Sequence, residues 1–346
     1  MLRRTFLSSV LLAVRRERLA EAEALIRREV DRGSVHAAAL RVDYRDGSFS
    51  QGYGAARPDT VFLIASISKP MAAAGVMKLC DERMISLDDP VQRFFPEFHG
   101  HGRERITLRH LLTHTSGLPD MLPENIELRK RHAPLEEFVA RTLRTPLLFA
   151  PGSQVRYQSM GILLAAAIAE KVTGRPFRDF LAKEVFLPLG MKATSLGLGG
   201  RPLQDTAQCQ VAEPSDWDWN SPYWRDLGAP WGGVHSTGTD ITRFLDAFLR
   251  PNGRVLRVET ARQMVANQTA PLPEPWGLGW MVKPGAFGKA CSGRTFGHWG
   301  ATGTVAWADP ETMTRCVLLT SKPADQSRAG LLGPVSDLVS QAVAAV

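Results

Sequence analysis

Val61-Phe62-Leu63-Ile64-Ala65-Ser66-Ile67-Ser68-Lys69-Pro70 joins an apolar, β-prone run to a segment rich in helix formers, Met71 to Cys80. This junction predicts a strand that ends near Ile64 and a helix that leaves just beyond Ser66. A serine so placed sits at a helix N-terminus, where free backbone N–H groups and the helix dipole favour developing negative charge. Lys69 follows three residues later, so one helical turn brings its side chain onto the face of Ser66. Hydroxyl, amine and anion-favouring backbone then converge, as nucleophilic acyl chemistry requires. The same spacing fits a solvent-facing cap serine beside a surface lysine, and S-x-x-K alone does not separate the two readings.

Working outward, Leu19 to Val30 is an amphipathic helical stretch that stops at Gly33. His36 to Tyr44 reads as a strand, Asp46-Gly47 as a tight turn and Ser48 to Tyr53 as the hairpin partner. Beyond Ile85 the chain turns loop-rich and helical. Thr107 caps a helix over Leu108 to His114, and Leu135 to Leu143, Ile162 to Thr173 and Phe177 to Phe186 are further helices. Strands are expected again over Trp276 to Val282, Arg294 to His298, Gly303 to Ala308 and Thr314 to Ser321. A last helix runs from about Pro334 to Ala345. The order implies an α+β fold, an antiparallel sheet flanked by N- and C-terminal helices. Residues 15–88 and 228–346 are assigned to a discontinuous sheet domain, 89–227 to a mainly helical insert, and 1–14 to an extension or vestigial signal.

With 346 residues, the chain has room for about two domains. The net charge of +7 raises the question of nucleic acid, but the arginines are dispersed among acidic residues and no basic run interleaves with aromatics. A mildly basic solvated surface is expected instead. Cys80, Cys209, Cys291 and Cys316 form no C-x-x-C pair and suggest a reducing compartment. Leu2-Arg3-Arg4-Thr5-Phe6-Leu7 looks like a twin-arginine export signal. Its apolar sequel, Ser8 to Val14, is short, runs into Arg15-Arg16 and lacks a small-residue cleavage site. A cytoplasmic location is therefore expected, with export as the alternative, and no other run is long enough for stable membrane insertion. The sequence leaves the oligomeric state open.

Two distant segments carry candidate partners for Ser66. Tyr157 lies in a loop, Pro151 to Ser159, that feeds an apolar helix. A phenol near a lysine is a proton shuttle if the ammonium lowers its pKa, whereas the plain reading is a core-capping tyrosine. His298-Trp299-Gly300-Ala301-Thr302-Gly303 reads as a strand whose glycines allow close backbone approach, or simply as a turn beside a satisfied histidine. Trp217, Trp219, Tyr223, Trp224 and Trp231 either pack a core or wall an apolar pocket. Metal chemistry is the competing reading. His99/His101 and His110/His114 have ligand-like spacing, but His110 is not followed by the glutamate of H-E-x-x-H.

Together these segments resemble the serine β-lactamase and penicillin-recognising superfamily, in its class C-like branch of β-lactamases, D-alanyl-D-alanine carboxypeptidases, D-amino-acid peptidases and family VIII esterases. The blocks are Ile64 to Pro70, Leu111-Leu112-Thr113-His114-Thr115-Ser116-Gly117-Leu118, Pro151-Gly152 through Tyr157 and Pro188-Leu189-Gly190-Met191. Further along come Gly232-Gly233 with Ser236-Thr237, Gly277-Leu278-Gly279-Trp280 and His298-Trp299-Gly300. The resemblance implies a β-lactamase/transpeptidase-like fold and an acyl-enzyme on Ser66, with Lys69 and Tyr157 moving its proton. It implies an oxyanion held by the N–H groups of Ser66 and Ala301 beside Gly300, and no metal or organic cofactor. The partner is a small acyl substrate: an ester, a lactam or a short peptide. Two departures bear on which. Ser159 stands where Tyr-x-Asn carries an asparagine that helps hold the lysine and the substrate amide, and His298 stands where lysine is typical. Both, with the tryptophan-rich stretch, tilt the expectation to ester-type or uncharged amphiphilic substrates over β-lactams and peptides. A non-catalytic binding protein with the same fold is the alternative of another class.

Overall fold

The computed structural model describes residues 15–45 and 47–344; the extension 1–14 and Asp46 of the expected turn lie outside the described residues. Among the described residues eight strands follow in chain order: β1 (Ala37–Tyr44), β2 (Gly47–Gly54), β3 (Phe62–Leu63), β4 (Ser195–Leu196), β5 (Val234–Ser236), β6 (Phe296–Gly300), β7 (Thr304–Asp309) and β8 (Thr314–Thr320). Five of them form one antiparallel sheet in the order β2-β1-β8-β7-β6. The other three form a small sheet in the order β3-β5-β4.

Alternation along the central strands sends side chains into two different cores, because successive residues of a strand point to opposite faces. Ala38, Leu40 and Val42 of β1, Val305 and Trp307 of β7, and Cys316 and Leu318 of β8 face one way. There they meet Leu19, Ala22 and Ile26 of the helix Arg16–Asp31 and Val335 and Val339 of the helix Gly333–Val343. Ala37, Ala39, Ala306, Ala308, Val317 and Leu319 face the other core, which continues through the helical half of the molecule. Two buried faces explain why these strands read as nearly continuous apolar runs.

The helix Ser68–Asp81 is the shared centre. Every residue from Ser68 to Met77 is buried, so that span is apolar all round apart from Ser68 and Lys69. It packs against the helix Met160–Thr173 from the mainly helical segment 89–227. That segment also holds the helices Leu108–Leu112, Asn125–Lys130, Leu135–Thr142, Phe177–Leu181 and Pro222–Leu227.

Two expectations are corrected. Trp276 to Val282 is not a strand: Gly279 takes φ +79°, and the chain doubles back with Gly277 N–H donating to Trp280 O at 2.8 Å. What remains is a pair of isolated bridges, Trp276 to Met281 and Met281 to Gly297. The expected strand Arg294 to His298 begins and ends two residues later, at Phe296–Gly300. The sequence reading also placed no element on β5 or on the helix Gly238–Leu249, which packs on β7 and β8.

Candidate active site

The small sheet delivers the backbone to Ser66. Phe62 and Leu63 pair with Ser236 and His235, and Ile64 N–H donates to Val234 O at 3.0 Å. Ala65 then takes φ +47°, a left-handed conformation that costs an alanine on the order of 1 kcal/mol. Ser68 holds that bend: its hydroxyl donates to Ala65 O at 2.6 Å and accepts from Val234 N–H at 3.0 Å. The short 3-10 turn Ala65–Ile67 runs straight into the helix, so Ser66 sits in its first turn with Lys69 stacked beneath.

Lys69 Nζ lies 2.9 Å from Ser66 Oγ and donates to Trp231 O at 3.1 Å. Its side chain has no solvent contact, and burial brings its pKa down to about 7 against an opposing pull from the Asp120 carboxylate. The amine is thus available as a base near neutrality.

Tyr157 meets the same point from the helical side. Lys69 Nζ stands 4.6 Å from the centre of its ring, and Ser66 lies near enough its hydroxyl to act on its pKa. The expected lowering of the phenol pKa is reversed: burial raises it, and the Ser66 hydrogen bond offsets only part. Tyr157 therefore stands as a neutral phenol. The turn after Leu108–Leu112 holds its loop. Arg156 N–H donates to His114 O at 2.9 Å, and Ser116 Oγ donates to Gln158 Oε1 at 2.6 Å. Ser159 is buried, and its hydroxyl goes to Asp120 Oδ1 at 2.6 Å. It is Asp120, an exposed carboxylate unremarked in the sequence reading, that acts on both Lys69 and Tyr157.

The third wall is the end of β6. An added Cβ on Gly300 would lie 2.4 Å from Ile64 O and 2.1 Å from Thr304 Oγ1, so only glycine lets the strand approach this closely. Thr304 Oγ1 donates to Ile64 O at 3.0 Å and Thr302 Oγ1 to Leu63 O at 2.7 Å, stitching the turn to the residues before Ser66. The N–H of Ala301, at that turn, has no acceptor among the described residues. His298 is buried, with Nδ1–H donating to Trp299 O at 2.6 Å. Burial and the nearby Lys69 hold its pKa down to about 3, so the ring is neutral.

Trp276, in the doubled-back segment, packs against Tyr157 and His298 at 6.0 Å between ring centres and against His114 at 4.6 Å. It escaped the sequence reading because a strand assignment gave it no reason to face Tyr157. The tryptophan-rich stretch serves mainly as packing. Trp224 and Trp231 are buried in the core, and Arg129 stacks over Trp224 at 4.0 Å. A cavity of about 720 Å³ lies beside Leu135, Leu163, Phe177 and Tyr223, but none of Ser66, Lys69, Tyr157 or His298 lines it. Of the histidines with metal-like spacing, His110 Nδ1 accepts from Thr107 N–H at 3.1 Å as a helix cap, and His114 Nδ1 accepts from Gln158 N–H at 3.3 Å.

This constellation, on a sheet flanked by helices, defines a class, and comparison with known proteins agrees with it. Residues 22–337 match the family model described as Beta-lactamase. The chain belongs to the β-lactamase family of serine hydrolases. Esterase EstB of Burkholderia gladioli is 37% identical over 151 residues, a stretch that covers 39% of this chain and only 38% of the esterase. A putative D-alanyl-D-alanine carboxypeptidase of Escherichia coli (strain K12) is 26% identical over 363 residues, covering 89% of this chain and 83% of that protein. Among solved structures, a D-amino acid amidase from Ochrobactrum anthropi SV3 complexed with L-phenylalanine amide superposes with a TM-score of 0.75. It is 26% identical, with coverage of 93% of this chain and 98% of that one. No helix among the described residues is long and apolar enough to cross a membrane.

Proposed function

We propose that this chain hydrolyses small carboxylic esters through an acyl-enzyme on Ser66. The observation that carries the reading is the Lys69 amine, fully buried, 2.9 Å from Ser66 Oγ and with its pKa brought down to about 7. In the acylation step the Ser66 hydroxyl proton passes to Lys69 while Oγ bonds to the substrate carbonyl carbon. The resulting oxyanion is placed between the N–H groups of Ser66 and Ala301. Collapse breaks the bond to the leaving alcohol, which takes a proton from the Tyr157 hydroxyl; Lys69 then gives Tyr157 the proton it took from Ser66, so both groups end neutral. Water then repeats the sequence in reverse and frees the acid. Charge favours esters over β-lactams. The neutral His298 offers no permanent cation to a substrate carboxylate, and Asp120 repels one.

The same Asp120 carboxylate favours a second reading, amides or short peptides of D-amino acids, whose free ammonium it would attract. The likeness to the D-amino acid amidase supports this. A panel of p-nitrophenyl esters, a chromogenic cephalosporin and D-amino-acid amides, run on wild type and Ser66→Ala, separates the readings. Ester turnover that vanishes in Ser66→Ala is expected. Amide turnover well above ester turnover would move the assignment to the second reading, and activity surviving Ser66→Ala would overturn both.

A further inference from the structure

Outside the expected triad, the most constrained side chain near Ser66 is His114. It has no solvent contact and adopts φ +60°, a left-handed conformation uncommon for a residue with a side chain. That conformation turns its carbonyl and its ring toward the same stretch of chain. The carbonyl accepts the N–H of Arg156 at 2.9 Å, and Nδ1 accepts the N–H of Gln158 at 3.3 Å. One residue therefore grips the backbone on both sides of Tyr157. Its ring also packs 4.9 Å from the Tyr157 ring and edge-on to Trp276 at 4.6 Å, which sets the depth of the phenol.

The hydrogen bond fixes the tautomer. Because Nδ1 accepts, the neutral ring carries its proton on Nε2, which is buried without a partner. A second proton would end the bond to Gln158 and add a cation near Lys69 and His298. Burial, Lys69 and His298 together hold the ring neutral.

We propose that His114 is the positioning residue of Tyr157, acting through Nδ1 as the acceptor that fixes the backbone after the phenol. This rests on the acyl-enzyme reading above, in which Tyr157 protonates the leaving group. Losing the acceptor frees the 156–158 loop. A displacement of about 1 Å of a reacting group costs on the order of a hundredfold. That loss falls on leaving groups that need a proton, such as simple alkoxides, and spares p-nitrophenolate, which departs unprotonated.

The test compares two amide replacements. In His114→Asn the amide oxygen falls near the Nδ1 position, and asparagine tolerates a left-handed backbone; His114→Gln places its amide near Nε2 and leaves Gln158 N–H unpaired. With an ethyl ester, His114→Gln is expected to lose about a hundredfold in kcat and His114→Asn less than about tenfold. With the matching p-nitrophenyl ester the acylation rate, read from the pre-steady-state burst, should stay within about tenfold of wild type for both variants, because p-nitrophenolate leaves unprotonated and deacylation is common to the two esters. In a Tyr157→Phe background His114→Gln should cost nothing further on the ethyl ester. Equal losses on both esters, or rescue by Gln rather than Asn, would overturn the proposal. If neither variant folds, nitrogen NMR of the wild-type imidazoles decides it: Nε2–H at His114 is expected, and Nδ1–H refutes the assignment. Failure of the acyl-enzyme reading shows up separately, as activity in Ser66→Ala.

Discussion

Replacing Gly300 by alanine perturbs the active site through a single methyl group. The added carbon would lie 2.4 Å from Ile64 O and 2.1 Å from Thr304 Oγ1, against an ordinary contact of at least 3.4 Å. Relieving these overlaps requires about 1 Å of separation between β6 and the chain entering Ser66. Thr304 cannot give way alone, because its hydroxyl is bonded to the same Ile64 carbonyl at 3.0 Å. The separation would carry the Ala301 N–H away from the proposed oxyanion position. Loss of one such donor costs about 10²–10³ in kcat, or roughly 3–4 kcal/mol of transition-state stabilisation. Overpacking should cost stability about 1–3 kcal/mol, a melting-point decrease of several degrees. Stopped-flow acylation with p-nitrophenyl acetate measures the first effect and calorimetry the second. Gly293→Ala, where an added Cβ meets nothing within 4 Å, is the control. If Gly300→Ala folds and keeps an acylation rate within threefold of wild type, the Ala301 N–H at the turn after β6 is not the oxyanion donor.

With neutral Lys69 as the proposed base, kcat/KM should fall as pH drops through about 7, to about a tenth of its plateau at pH 6; a flat profile from pH 5 to 8 would contradict this. Asp120→Asn removes the anion that holds the Lys69 pKa up, so this acid limb should move to lower pH, while KM rises for ammonium-bearing substrates only. Asp81→Ala leaves the Arg257 N–H and the Thr260 hydroxyl without their carboxylate at the far end of the helix. It should cost about 2 kcal/mol in urea unfolding with kcat unchanged. His298→Lys should shift the ratio of cephalosporin to ester turnover upward, and an unchanged ratio would remove position 298 from substrate choice.

The long periodic elements were legible because their pattern is local. The helices Arg16–Asp31 and Gly333–Val343 and the hairpin of β1 and β2 needed only spacing and turn residues. β5 was not legible, since three residues between Gly233 and Thr237 carry no period and gain strand character only from their neighbours. Trp276 to Val282 was misread because its apolar residues suit a strand, while Gly277 and Gly279 turn the chain back on itself. At the candidate site, Ser66 and Lys69 could be paired from one helical turn. Their link to Tyr157 came only by resemblance, because nearly ninety residues separate them.

What the sequence could not carry is the electrostatics, because charge states here follow from burial. Read as residue types, the site holds one lysine, two histidines and a tyrosine, which suggests a positive pocket and a phenolate stabilised by an ammonium. Enclosure inverts each expectation. Removing Lys69 from water makes it a base near neutrality, the same enclosure keeps His114 and His298 uncharged, and Tyr157 is driven away from ionisation. Asp120, at the solvent edge, carries the charge that remains. A site built this way needs no phenolate: the proposed proton path runs between a neutral amine, a hydroxyl and a neutral phenol, none of which must bear charge in the resting state. The same neutrality weakens its hold on anionic substrates, so the physics that makes Lys69 a base also argues for uncharged or cationic acyl groups.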